Sequence, residues 1–125
     1  MKKIETSKAP GAIGPYSQGM VSGRLVFTSG QIPLDPKSGV IVGETIEEQS
    51  EQALKNLQAV LETGGAALST VVKTTCFLSD MADFAAFNAV YATFFTDDCP
   101  ARSCVAVKTL PKGVLVEVEA IAEVL

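Results

Sequence analysis

The chain has 125 residues, of which 47% are apolar and 19% charged, and its formal net charge is −4 at pH 7. It contains no His, which excludes Ser-His and Cys-His catalytic arrangements and histidine metal sites. An isoelectric point near 4.7 argues against nucleic-acid binding, which draws on a basic surface. A chain of this length is expected to form a single domain, residues 1–125, with one core.

The cysteine pattern predicts a reduced protein. Cys76, Cys99 and Cys104 are odd in number and form no C-x-x-C pair, which argues against a disulfide framework or a structural zinc site. No apolar stretch approaches the ~18 residues of a membrane span, and no apolar segment follows the first lysines as in an export signal. We therefore expect a cytoplasmic protein without a membrane partner.

Turns divide the first forty residues. Pro10-Gly11 and Gly14-Pro15 break any helix before it can extend. A β-rich run over 24–29 favours a strand in this region. We predict short strands joined by turns.

A helix is predicted from Thr45 onward. Thr45 and Glu48 have the capping-box spacing, in which a Thr hydroxyl and a Glu side chain bind backbone N–H groups at the helix start. Gly64 and Gly65 are expected to end it. The apolar residues between these signals repeat at helical spacing: Ile46, Ala53, Leu54, Leu57, Val60 and Leu61.

A strand and a second helix follow. Residues 71–78 are rich in β-branched side chains, which favours a strand. Asp80 is placed to cap a helix that ends before Pro100. The predicted stripe of that helix consists of Met81, Phe84, Asn88, Tyr91 and Phe95.

The last quarter of the chain predicts two strands, 102–108 and 114–124, joined by a turn. We expect them to pair as a hairpin. An even-numbered loop, such as 110–113, would place their valine rows on one face. The same register would gather four side chains on the opposite face: Arg102, Cys104, Glu117 and Glu119.

The order of elements predicts an α+β sandwich with both helices packed on one face of the sheet. The second face carries apolar residues among its charges, and the helices cannot cover it. We therefore expect another subunit to cover it.

Arg102 and Glu117 are the first candidates for chemistry. The planar guanidinium of Arg102 suits a carboxylate, and Glu117 could position or deprotonate a water. The alternative is an ordinary cross-strand salt bridge. Cys104 could be a nucleophile whose pKa is lowered by Arg102, but without His to activate it a small wall residue is the better interpretation.

Two hydroxyl-bearing turns, 14–19 and 28–33, could direct side chains and backbone N–H groups at a ligand, or could be ordinary turns. Neither matches a P-loop or a dinucleotide fingerprint. Asn88 lies on the apolar stripe of the second helix. An inward Asn that fixes a loop through hydrogen bonds is the better interpretation of it than a catalytic group.

These residues make the sequence recognisable. It resembles the Rid family, also called YjgF or the reactive-intermediate imine deaminases, over essentially the whole chain. The matching segments are Ala12-Ile-Gly-Pro-Tyr-Ser-Gln-Gly19, Thr28-Ser-Gly-Gln-Ile-Pro33, Phe87-Asn-Ala-Val-Tyr91, Pro100-Ala-Arg-Ser-Cys104 and Val116-Glu-Val-Glu-Ala120.

The resemblance implies a chorismate-mutase-like (ferredoxin-like) fold that assembles as a homotrimer, with sites in the clefts between subunits. It implies hydrolysis of 2-imino acids, such as 2-iminobutanoate and 2-iminopropanoate, to 2-keto acids and ammonia. An imine carbon is already electrophilic, so we expect no metal and no organic cofactor. By resemblance Arg102 binds the substrate carboxylate and Glu117 handles the attacking water. Five further positions match residues that line or support the pocket: Tyr16, Ser29, Gly30, Asn88 and Cys104.

Two other functions stay open at this point. A trimer that binds 2-keto acids or another protein without turnover would also use a carboxylate-binding Arg. A ribonuclease or translation inhibitor is disfavoured by the acidic isoelectric point, the missing His and the absence of a basic run.

Overall fold

A computed structural model describes residues 1–125 as a six-stranded sheet with two α-helices. The strands are β1 (Lys2–Ile4), β2 (Gly19–Ser22), β3 (Leu25–Thr28), β4 (Val71–Leu78), β5 (Ala101–Ala106) and β6 (Val116–Glu123). The helices are α1 (Ile46–Thr63) and α2 (Phe84–Phe94). Single 3₁₀ turns lie at Leu68–Thr70, Met81–Asp83 and Pro111–Gly113.

Helix α1 begins and ends where the sequence predicts. The Thr45 hydroxyl accepts a hydrogen bond from the Glu48 backbone N–H at 3.2 Å, and Glu48 Oε1 accepts one from the Thr45 N–H at 3.2 Å. Gly64 caps the other end, and Gly65 follows with φ 89°. The predicted apolar stripe is buried throughout: Ile46, Ala53, Leu54, Leu57, Val60 and Leu61.

The second helix starts one turn later than the spacing of its apolar residues predicts. Asp80 caps a 3₁₀ turn, accepting a hydrogen bond from the Ala82 N–H at 2.9 Å, and α2 begins at Phe84. Because a 3₁₀ turn has three residues per turn, the stripe changes phase there. The prediction for Met81 is therefore wrong, since it is exposed, whereas Phe87, absent from the predicted stripe, is fully buried.

The strand order is β1-β2-β3-β6-β4-β5, so the predicted hairpin of the last two strands is wrong. Strand β4 lies between them, pairing with β6 in antiparallel and with β5 in parallel orientation. The parallel pair needs a crossover connection, and α2 supplies it. Strand β6 then returns to the opposite edge of β4.

This order changes which side chains share a face. Thr74 of β4 lies directly opposite both Arg102 and Ala120, so these three point to the same side of the sheet. Phe77 lies opposite Glu117 and Val105 in the same way, on the other side. The expectation that Arg102 and Cys104 share a face with Glu117 is therefore wrong.

Both helices pack on one face of the sheet, as predicted. Phe87 and Tyr91 of α2 belong to the same buried cluster as Leu54 of α1 and Val118 of β6. The amide oxygen of Gln49 accepts a hydrogen bond from the Leu115 N–H at 2.8 Å, which ties α1 to the start of β6. The core therefore lies between the helices and the face of the sheet that carries Thr74 and Ala120.

The opposite face of the sheet has no helix over it. Three of its apolar side chains are 37%, 38% and 49% exposed, namely Leu25, Phe27 and Val105. Lys73 reaches across this face to donate a hydrogen bond to the Ser103 hydroxyl at 3.0 Å. We call this surface the open face. Neither α1 nor α2 combines the length and the hydropathy that a membrane-crossing helix needs.

Candidate functional site

A cavity of about 410 Å³ lies where the N-terminal segment, the turn after β3 and strand β6 meet. Four of the predicted site residues line it, namely Tyr16, Ser29, Gly30 and Glu117. The wall is completed by Pro10, Gly11, Ile13, Gln18, Gln31, Ile32, Leu34 and Pro111. The structure therefore gathers part of the predicted site around one carboxylate.

Glu117 projects from β6 into this cavity and is half-buried. Burial raises the pKa of its carboxyl group, and the neighbouring charge of Glu119 raises it further. No side chain or backbone group of the chain donates a hydrogen bond to its carboxylate, and no Lys or Arg forms a salt bridge with it. Its oxygens are therefore free to accept hydrogen bonds from a water or a substrate.

The turn after β3 is fixed against Glu117. Gln31 and Val118 exchange two backbone hydrogen bonds of 2.7 and 3.0 Å, which join this turn to β6. The Ser29 hydroxyl donates to the Ser17 carbonyl. A Cβ atom added at Gly30 would overlap the Glu117 carboxyl group. The absence of a side chain at Gly30 therefore gives the carboxylate its space.

Gln18 is a buried residue that the sequence analysis did not single out, although it lies in a quoted segment. Its amide nitrogen donates to the carbonyls of Thr6, Ala9 and Pro10 at 3.0, 3.2 and 2.8 Å. Its oxygen accepts from the Thr6 N–H at 2.7 Å. Gln18 thereby holds the N-terminal segment in place as a wall of the cavity. Beyond it, Tyr16 stands at the rim and is 49% exposed.

Arg102 lies on the helix-covered face, outside this cavity. Its Nη1 donates to Asn88 Oδ1 at 2.7 Å, so Asn88 supports Arg102 instead of fixing a loop. Its guanidinium carbon lies 4.7 Å from the centre of the Tyr91 ring. It forms no salt bridge, so the alternative of a cross-strand ion pair with Glu117 is wrong for the single chain.

Cys104 lies on the same side of the sheet as Arg102, directly opposite Cys76. Burial raises the pKa of the Cys104 thiol, and the nearby Arg102 charge only partly offsets this. Burial raises the pKa of Cys76 to about 12. Both thiols are therefore protonated at neutral pH. This supports the interpretation of Cys104 as a small residue in the wall of the site and argues against a nucleophile.

The seven predicted site residues thus form two groups in one chain. Glu117 lies in the cavity with Tyr16, Ser29 and Gly30, whereas Arg102 lies on the other face with two further residues, Asn88 and Cys104. Eight lining residues outside the predicted set also shape the cavity, among them Ile13, Gln31, Leu34 and Pro111. No three or more Cys, Asp or Glu side chains are arranged to hold a metal ion.

Comparison with known proteins finds relatives that match nearly the whole chain. The family described as endoribonuclease L-PSP matches residues 6–124. A Salmonella typhimurium protein named 2-iminobutanoate/2-iminopropanoate deaminase is 52% identical over 124 residues, which cover 97% of this chain and 96% of that protein. A Pyrococcus horikoshii RutC family protein is 51% identical over 119 residues, covering 95% and 94%. The crystal structure of the Escherichia coli YjgF gene product superposes with a TM-score of 0.94 at 47% identity, covering 98% of each chain.

Proposed function

The chain belongs to the endoribonuclease L-PSP family, the Rid or YjgF family that its motifs resemble, and on this basis we propose that it is an imine deaminase. It would hydrolyse small 2-imino acids, such as 2-iminobutanoate and 2-iminopropanoate, to 2-keto acids and ammonia. The name of the Salmonella typhimurium relative supports this choice of reaction.

The observation that carries the proposal is the state of Glu117. Its carboxylate faces a cavity without a partner from the chain, and burial raises its pKa above that of an ordinary glutamate, which makes it a stronger base. A structural carboxylate is usually paired or hydrogen-bonded. Glu117 is therefore suited to accept and return a proton.

In the proposed reaction Glu117 removes a proton from a water while the water oxygen forms a bond to the imine carbon. The electrons of the C=N double bond move to nitrogen, which takes up a proton and gives a tetrahedral carbinolamine. Transfer of a further proton to nitrogen allows the C–N bond to break. Ammonia leaves, and the hydroxyl group loses its proton to become the ketone. Neither oxidation nor reduction takes place.

Arg102 supplies the second requirement, a group that binds the substrate carboxylate. Its guanidinium has five N–H donors, and Asn88 accepts from one of its nitrogens. A carboxylate can accept two parallel hydrogen bonds from the remaining donors. Anchoring the anion would orient the imine carbon toward the water.

We further propose that the site is completed between copies of the chain, in a homotrimer. Within one chain Arg102 and Glu117 lie on opposite faces of the sheet. The open face carries Glu117 together with exposed apolar side chains, which favours its burial against another copy. Such packing would bring Arg102 of one copy toward Glu117 of the next.

Replacing Arg102 with Ala tests the proposal. In a coupled assay, a serine or threonine dehydratase generates the imine, and keto-acid release is followed with and without the protein. The parent should accelerate release, and Arg102→Ala should lower the acceleration by about a hundredfold to a thousandfold, because a preorganised charge contact is lost. Arg24→Ala, which removes an exposed Arg, is the matched control and should keep the parental rate.

Two results would contradict the proposal. Saturable keto-acid binding by the parent without any effect on imine lifetime would favour a binding or regulatory protein. RNA cleavage by the parent that disappears in Arg102→Ala would favour a ribonuclease, despite the isoelectric point near 4.7.

A further inference from the structure

Arg102 is a half-buried cation that lies among aromatic rings instead of beside a carboxylate. Its guanidinium carbon is 4.7 Å from the ring centre of Tyr91, 5.5 Å from that of Phe84 and 6.0 Å from that of Phe87. A buried charge without a counterion is unfavourable, and the electron-rich ring faces compensate for part of that cost. All three rings come from α2, the helix that connects β4 to β5.

Among these rings, that of Tyr91 is the nearest, and a hydrogen bond holds its hydroxyl group. Its hydroxyl lies 2.8 Å from the Thr74 hydroxyl, and Thr74 is fully buried on β4. Thr74 is also the residue directly opposite Arg102 in the sheet. The Tyr91–Thr74 hydrogen bond therefore joins α2 to the sheet at the position from which Arg102 projects.

The Tyr91 ring also lies near two other aromatic rings, that of Phe87 on α2 and that of Phe95 just after the helix ends. The ring centres of Phe87 and Phe95 lie 5.6 and 4.5 Å from it. One helical turn earlier, Asn88 accepts the Nη1 hydrogen bond from Arg102. Helix α2 thus holds the guanidinium by a ring face and by an amide oxygen at the same time.

We propose that Tyr91 is a positioning residue: its ring, fixed by Thr74, sets the orientation in which Arg102 presents its free N–H groups to a carboxylate. The inference rests on the proposed function, in which Arg102 binds the substrate. Tyr91 acts through Arg102 and does not itself touch the substrate. The expected consequence of losing it is weaker carboxylate binding, while the proton transfers at Glu117 continue.

Steady-state kinetics with graded variants test this role. Tyr91→Leu removes the ring face and should raise KM about fivefold to thirtyfold while kcat changes little. Tyr91→Phe keeps the ring and leaves the Thr74 hydroxyl without its partner, so its KM should rise less. Thr74→Val should reproduce the effect of Tyr91→Phe, because it breaks the same hydrogen bond from the other side.

Phe95→Leu is the matched control. It removes a buried ring near Tyr91, whereas the rings that face the Arg102 guanidinium are those of Phe84, Phe87 and Tyr91. The variant should therefore cost stability without changing KM. If Phe95→Leu raises KM as much as Tyr91→Leu does, the role of Tyr91 is merely structural and the inference is wrong. If Tyr91→Leu does not fold, the KM values of Tyr91→Phe and Thr74→Val are compared with that of Phe95→Leu. Values no higher than that of Phe95→Leu would overturn the inference.

A spectroscopic measurement tests the geometry without turnover. The Nε–H resonance of Arg102 in ¹⁵N-labelled protein, assigned by its loss in Arg102→Lys, should be displaced by the ring current of Tyr91. Tyr91→Leu should move it toward the value of a free arginine, and Phe95→Leu should leave it in place. An unmoved resonance in Tyr91→Leu would overturn the inference.

Arg102→Ala in the same assay separates the two proposals. If Arg102→Ala keeps full activity, the proposed function fails at its carboxylate-binding residue. If Arg102→Ala is inactive while Tyr91→Leu and Tyr91→Phe keep the parental KM, the positioning role alone fails.

Discussion

At the scale of single residues, the environment of Glu117 suits proton transfer but makes the folded state less stable once the carboxyl group is ionised. Its carboxyl group is half-buried near Glu119, receives no hydrogen bond from the chain, and has a raised pKa in consequence. The folded state therefore binds a proton at this group more readily than the unfolded state does. The stabilisation from this difference is fully present below the unfolded pKa of about 4.3 and is lost as the pH rises through the folded pKa.

Glu117→Gln should separate these two effects. The variant should lose activity by about a hundredfold to ten-thousandfold, because no proton acceptor remains. Its free energy of unfolding at pH 7 should exceed that of the parent, since the ionised carboxylate is no longer buried. Denaturant unfolding at a series of pH values checks this: the difference should shrink as the pH falls and vanish near pH 4 or below.

The pH dependence of the parent follows from the same shift. Activity should fall as the pH is lowered through the raised pKa of Glu117, at a higher pH than an ordinary glutamate would give. Glu119→Gln removes the neighbouring charge that contributes to the shift, so its activity should fall at a lower pH than that of the parent. If activity falls at the same pH in Glu119→Gln and in the parent, the proton-transfer role of Glu117 is contradicted.

At the scale of elements, the site depends on how irregular segments are fixed to the sheet. The cavity wall formed by residues 6–16 contains no regular strand or helix, and Gln18 holds it through the Thr6 N–H and three backbone carbonyls. The turn after β3 is held by the Gln31–Val118 backbone pair. Buried polar contacts thus replace secondary structure on this side of the cavity.

Gln18→Ala should loosen this wall without unfolding the sheet. Losing the amide leaves the carbonyls of Ala9 and Pro10 without their donor, which costs about 1–3 kcal/mol for each buried group left unpaired. Amide hydrogen exchange should therefore accelerate at Thr6, while the amides of β4 stay protected. Gln58→Ala, which alters an amide on the outer side of α1, is the control; equal exchange at Thr6 in both variants would contradict the role of Gln18.

At the scale of the whole molecule, one chain holds two incomplete halves of the proposed site. The Arg102 half lies on the helix-covered face, and the Glu117 half lies on the open face among exposed apolar side chains. Assembly in a homotrimer would bury those side chains and bring the halves of neighbouring copies together.

Mixing two inactive variants tests this arrangement. Arg102→Ala keeps Glu117, and Glu117→Gln keeps Arg102, so a mixed oligomer contains interfaces at which both intact residues meet. Unfolding and refolding the two together should restore activity, whereas either variant refolded alone should stay inactive. The double variant Arg102→Ala/Glu117→Gln, mixed with either single variant, is the control and should restore none. Failure of the complementary pair, with mixed oligomers present, would place the site within one chain.

The sequence by itself determined the parts of this protein that depend on local interactions. The capping box at Thr45, the glycine stop at Gly64 and the strand over 71–78 are each encoded within a few residues, and the structure confirms all three. The motifs also indicated the family. Gln18, which holds the N-terminal wall of the cavity, lies within one of those motifs. The residues next to it in the sequence do not show whether its amide is buried or exposed.

Only the tertiary structure decided which of these residues meet. Alternation along 102–108 and 114–124 correctly separates two faces within each strand, but it does not state which strand is the neighbour. Strand β4 enters between β5 and β6 because helix α2 carries the chain across to a parallel position, and this reverses the face of Arg102 relative to Glu117. Strand pairing is a long-range choice made by backbone hydrogen bonds and burial of the whole sheet, so it could not be deduced from the pattern of either strand alone.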